Sequence, residues 1–168
     1  HQVITLNGKL WLTGGNDSNK YDDTWSSNDG VTWTQVTSNA AFSNRAHHQI
    51  AVFDNKLWGV GGTNITGKGY SDTWSTSDGI TWIQATSNAA FSNRWSHQVA
   101  VFNNKLWVIG GRYSNTGNNE VWSSSDGITW DQATSNAAFP ARSSHQVATF
   151  KKKLWLIWGH DGGCKRKG

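Results

Sequence analysis

The chain has 168 residues, of which 36% are hydrophobic and 15% charged, with 18 glycines, one proline, 12 tryptophans and no methionine. That composition belongs to a globular domain with many turns and excludes a disordered or collagen-like chain. The formal net charge of +4 is gathered at the end of the sequence, where Lys151, Lys152, Lys153, Lys165, Arg166 and Lys167 stand against Asp161 alone, so the body offers no basic face to nucleic acid.

No apolar run approaches the roughly 18 residues that a membrane span requires, so a membrane partner is not expected either. Cys164 is the single cysteine and has no partner for an intrachain disulfide, which leaves packing and hydrogen bonds to hold the fold. The start at His1 without Met and the Gly- and Lys-rich end read as a fragment or a processed piece.

Read in order, the chain repeats itself. His-Gln opens at His1 and returns at His48, His97 and His145, and Lys-Leu-Trp begins at Lys9, Lys56, Lys105 and Lys153, a period of about 48 residues. Periods of this length belong to propeller blades rather than to short helical repeats. The chain therefore divides into units 1–47, 48–96 and 97–144 and a half unit 145–168.

Within 97–144, residues 97–102 alternate as a strand, Asn103-Asn104 turns, and 105–109 form an apolar second strand that Gly110-Gly111 ends. Asn7-Gly8 at the matching turn of the first unit is a strong hairpin signal. A variable loop follows, then a third strand over 119–124, an Asp126-Gly127 turn and a fourth strand over 128–133. Four short strands per unit, rich in β-branched and aromatic residues and without helical periodicity, predict an all-β propeller.

The unit Arg-x-x-His, apolar strand, turn, Leu-Trp, double glycine, variable loop, Trp and Asp-Gly-x-Thr-Trp resembles the Kelch repeat. The likeness runs through nearly the whole chain, with two departures: the third-strand aromatic is Trp where Kelch usually has Tyr, and Trp158 replaces the first glycine of the last pair. The Ser-x-Asp-Gly-x-Thr-Trp turn is also similar to the Asp-box of sialidases but lacks one of its residues. The Kelch resemblance implies that Arg45, Arg94 and Arg142 point into a central mouth and grip acidic peptide side chains through their planar, two-pronged guanidinium groups. The competing reading pairs each arginine with a carbonyl or Asp of its own repeat.

The remaining motifs divide between scaffold and ligand. The recurring Trp25, Trp74 and Trp122, with Trp33, Trp82 and Trp130, are expected to fill the wedge between neighbouring units. Gly14-Gly15, Gly61-Gly62 and Gly110-Gly111 are expected to supply positive φ and close backbone approach at strand ends. Asp29, Asp78 and Asp126 should accept turn N–H groups. The four repeated histidines ring too wide a channel to converge on one ion, so no metal and no cofactor is expected, and the imidazoles should bond neighbouring units instead.

Trp95 breaks the repeat. With Asn64, Tyr113 and Asn115 in the variable loops 63–72 and 112–119, and with the three arginines, it completes the candidate ligand set. Asn16 and Asn64 sit in glycosylation sequons. No catalytic residue is expected: Glu120 is the single glutamate, the other acids mostly recur in turns, and Cys164 lies too far into the tail for the Cys–Tyr chemistry of galactose oxidase.

The expected role is a non-catalytic scaffold for a protein or peptide. A glycan-binding propeller using exposed Trp and Asn is the alternative, and an enzyme fragment of the galactose-oxidase or sialidase kind the weakest reading. Because the last unit has only two strands, an open arc would expose apolar blade faces, so a homodimer or other self-assembly is expected to cover them.

Overall fold

A computed structural model describes residues 1–17, 20–114 and 116–160, so Asn115, Cys164, Ser18 of the first sequon and the basic tail lie outside the described residues. Sixteen strands and no helix make up the described chain. The first sheet contains β1 (Gln2–Leu6), β2 (Lys9–Asn16), β3 (Lys20–Ser27) and β4 (Thr34–Thr37) in that order. The second repeats it with β5 (Gln49–Phe53), β6 (Lys56–Val60), β7 (Thr73–Thr76) and β8 (Ile83–Thr86).

In the third sheet β9 (Gln98–Phe102) and β10 (Lys105–Ile109) are followed by a small extra hairpin, β11 (Arg112–Tyr113) with β12 (Thr116–Gly117). The sheet then resumes with β13 (Val121–Ser124) and β14 (Asp131–Thr134). β15 (Gln146–Phe150) and β16 (Lys153–Ile157) stand as a two-stranded sheet. All pairings are antiparallel. The innermost strands β1, β5, β9 and β15 contact one another in sequence, which arranges the sheets as successive blades of a β-propeller.

One local expectation is corrected. The fourth strands begin after, not at, the Asp-Gly-x-Thr-Trp run, so Trp33, Trp82 and Trp130 belong to the turn. The reason is the aspartate: Asp126 Oδ1 accepts the N–H groups of Ile128 and Thr129 at 2.8 Å each, and Asp29 and Asp78 do the same in their own turns. A backbone whose donors are taken by a side chain cannot use them in a ladder. These bonds hold the Asp29 and Asp78 carboxyls down at about 2, through backbone N–H donation before any other cause.

The core lies between blades. Leu6, Trp11 and Phe42 of the first unit meet Leu57 and Trp82 of the second. Phe53, Trp58, Val60 and Phe91 of the second meet Leu106, Val108 and Trp130 of the third. Each blade is thus apolar on two faces, and a blade without a neighbour leaves one uncovered. Phe150, Trp155 and Ile157 of the last two strands are 58%, 49% and 41% exposed.

Candidate functional site

Two blade joints are complete among the described residues, and they are built alike from four side-chain relationships. In the first, the second-strand Trp of one unit lies on the turn glycine of the next: Trp11 covers Gly79, and Trp58 covers Gly127, at positions where a Cβ would enter the indole. In the second, Phe42 meets Trp82 edge-on at 5.0 Å between ring centroids, and Phe91 meets Trp130 at 5.1 Å.

Third, the repeated histidine packs on the first glycine of the preceding unit. His48 Cε1 would lie 3.1 Å from a Cβ on Gly14, and His97 and His145 sit in the same way on Gly61 and Gly110. Those glycines have φ near +50 to +60, a conformation that a side chain resists, and a close neighbour besides, which is why the pair is glycine here. Thr13 Oγ1 is 3.0 Å from His48 Nε2. Val60 and Ile109 occupy the place of Thr13 in the later units and offer His97 and His145 no side-chain hydroxyl. Burial holds His48 at about 3 and His145 at about 4, each helped by the nearby arginine charge, and pushes His97 well below the usual histidine value.

The fourth relationship corrects the sequence expectation for the arginines. Arg45 is 3% exposed, and its Nη1 and Nη2 donate to both oxygens of Asp72 at 2.7 and 2.9 Å. Nη1 also reaches the Gly61 carbonyl at 2.9 Å and Nε the Ser43 carbonyl at 3.1 Å. Arg94, with no exposed surface, donates to Glu120 at 2.6 Å and to the carbonyls of Gly110 and Ser92.

The acids belong to the following unit, not to the arginine's own repeat, so each guanidinium is a clamp across a joint. Four of the five N–H donors of each guanidinium are used and its charge is matched, so Arg45 and Arg94 are buried clamps rather than groups facing an incoming ligand. Burial raises the Glu120 carboxyl, but hydrogen bonds from Arg94 and Trp122 outweigh it and hold the group below its ordinary value.

Asp23, Asp72 and Glu120 are the site residues that reading the sequence missed. Each stands two positions before a third-strand Trp and accepts its indole N–H, at 2.7, 2.8 and 3.0 Å. The signal was available as an acid-x-Trp motif in three successive units.

The remaining candidates lie on the loop face. Backbone bridges tie the linkers to the loops after the double glycines: Ala46 to Thr63, Tyr70 to Arg94, Trp95 to Arg112, Asn118 to Arg142 and Ser143 to His160. Trp95 is half-buried, with its ring against Gly69. Asn64 Oδ1 accepts from Thr66 and Lys68 backbone N–H groups at 3.0 and 2.9 Å and so shapes its own loop. Tyr113 is 54% exposed on β11, and Ile65 in the neighbouring loop 67%. Arg142 is half-buried and the structure pairs it with no carboxylate among the described residues.

Among the described residues no three His, Cys, Asp or Glu side chains gather where they could hold a metal ion. No curated protein matches the chain. Residues 1–167 match the family described as the KLHDC2/KLHL20/DRC7 Kelch-repeats domain. With double glycines ending the second strands, four-stranded antiparallel blades and Arg-x-x-His linkers between them, the chain belongs to the Kelch-repeat family of β-propellers.

Proposed function

We propose that the chain is a non-catalytic propeller scaffold that binds a protein or peptide on the face where its linkers and variable loops meet. The observation that supports this reading is the concentration of unlike, apolar side chains on one constant frame: Trp95, Ile65 and Tyr113 sit on loops that the backbone bridges hold in place. Rigid aromatic anchors on an ordered rim suit protein recognition because little conformational entropy is lost on binding. Arg45 and Arg94 carry their acids with them, so the favoured ligand is an apolar or aromatic segment rather than an acidic one.

Peptides selected on the purified chain from a random phage library test this. A Trp95→Ala/Tyr113→Ala variant is expected to weaken them at least about tenfold while melting at an unchanged temperature. Peptides that bind the variant equally well would place the site elsewhere, and a glycan array answered by the chain and lost in the variant would make the face a sugar site.

Self-assembly is the second part of the proposal. Phe150, Trp155 and Ile157 form an apolar blade face open to solvent, and a second copy covering it removes that area from water. Light scattering is expected to give a dimer or larger species that Trp155→Lys dissociates; a monomer at millimolar concentration refutes this part.

A further inference from the structure

The second and third units enclose a groove of about 600 Å³, within the roughly 300–1,000 Å³ of small-ligand sites. Buried Trp58 and half-buried Ser75 line it on β6 and β7, together with β8, the Ser125–Ile128 turn of the third unit, and the β5–β6 and β9–β10 turns. β5 begins at the linker and ends at this groove, which therefore lies at the opposite end of the strands from the loop face. Every element around it belongs to the two complete units that the joint at Trp58 and Gly127 holds together.

Two of its exposed residues are where the second unit departs from both other complete units. Asp54 stands where they have Asn7 and Asn103, and Ile83, 64% exposed, where they have Thr34 and Asp131. The same frame forms with polar residues at the place of Ile83, so its side chain is not there for the fold. Ile128, 52% exposed, lines the same groove and gives it a second aliphatic surface.

The polar lining has hydrogen-bonding capacity to spare. Asp54, Gln84, Asn104 and Ser125 are exposed, and among the described residues no side-chain hydrogen bond or ion pair engages them. An apolar ligand would take water from these groups without replacing it. An anion would meet Asp54 and Asp126 with Lys56 as the single cation of the lining. A peptide backbone finds no ladder on β6 or β7, because each is already paired on both sides. A sugar ring fits the set: its hydroxyls donate to a carboxylate and accept from amides, and its C–H face covers aliphatic side chains.

We propose that this groove binds a short neutral oligosaccharide. Neighbouring hydroxyls of the sugar donate to the Asp54 carboxylate, the amides of Gln84 and Asn104 donate to its oxygens, and Ile83 and Ile128 cover a C–H face. The site does not rest on the loop-face reading and stands whether or not that face binds a protein.

The probes are free cellotriose, mannotriose, galactotriose and chitotriose, with trigalacturonate as an acidic counterpart. Each is titrated to about 10 mM into the full chain and followed by saturation-transfer NMR. At least one neutral trisaccharide is expected to bind saturably, and trigalacturonate is expected not to. Asp54→Asn and Ile83→Thr install the residues of the first unit; each should weaken binding at least about fivefold with melting unchanged. Trp95→Ala/Tyr113→Ala should leave the sugar affinity as it was. The proposal is overturned if no neutral trisaccharide binds, if both groove variants bind as well as the parent, or if the Trp95/Tyr113 variant abolishes binding. A phage-selected peptide that the groove variants no longer bind, with no sugar bound by the parent, overturns it in favour of a peptide site.

Discussion

Arg45 and Asp72 are joined by two parallel hydrogen bonds of 2.7 and 2.9 Å across the boundary between two successive units. Both side chains are buried, the Tyr70 ring lies 4.4 Å from the guanidinium carbon, and the same carboxylate holds the Trp74 indole at 2.8 Å. The pair therefore fixes a linker, a third strand and an aromatic at once.

Because Asp72 would be left buried and unpaired, Arg45→Met should cost about 3–5 kcal/mol of stability. Arg142→Met strands no carboxylate among the described residues and should cost much less. Chemical denaturation of the two variants measures the contrast, and equal losses would mean that the guanidinium acts by packing alone.

The Trp-on-glycine contacts make a second contrast. Gly30, Gly79 and Gly127 have φ of 76°, 74° and 75°, so replacement by Ala strains all three backbones alike. A Cβ at Gly79 or Gly127 also enters the ring of Trp11 or Trp58, whereas at Gly30 the nearest atom is Leu10 Cδ1 at 3.4 Å. Gly79→Ala and Gly127→Ala should lower the melting temperature well beyond Gly30→Ala, by an overpacking cost of about 1–3 kcal/mol. Three equal shifts would remove the stack from the account of stability.

The buried histidines make the fold sensitive to acid. Below pH ~6.5 an unfolded imidazole takes up a proton that the buried rings refuse. The unfolded state then binds more protons, and stability falls as the pH drops by up to about 1.4 kcal/mol per pH unit for each ring. For His145 the loss continues to its folded value of about 4, and for His48 to about 3. Melting temperature should be level above pH 7 and fall steadily from 6.5 to 4.5; a flat profile over that window contradicts the buried neutral rings.

Thr13 and Val60 occupy the same place in consecutive units, and only Thr13 offers a hydroxyl to the histidine packed on it. Thr13→Val should destabilise by about 1–2 kcal/mol, and Val60→Thr should gain up to about 1 kcal/mol by giving His97 a hydroxyl partner like that of His48. Denaturation midpoints that move in the same direction for both variants would refute this pairing.

The period, the antiparallel hairpins and the positive-φ double glycines are local or repeated properties that the sequence alone determined, whereas of the repeated tryptophans Trp82 and Trp130 lie in the cores between units and Trp33 lies in neither. A strand pattern closed by Asn-Gly or Asp-Gly has few conformations to choose from, and four appearances of the same motif fix its role. The role of the arginines was not local. Arg45 and its acid are 27 residues apart and Arg94 and its acid 26, on opposite sides of a unit boundary, and nothing in the spacing says which groups the packing of two blades brings together. Read singly, an Arg before the innermost strand fits a ligand mouth as well as a clamp; only the burial of Arg45 and Arg94 against the next blade decides for the clamp. The start of the fourth strands was also a tertiary matter in small, since Asp126 competes with the ladder for the same N–H groups. Tertiary structure likewise separated Arg142 from its counterparts: the residue is the same in all three linkers, but among the described residues only Arg45 and Arg94 have a carboxylate beside them.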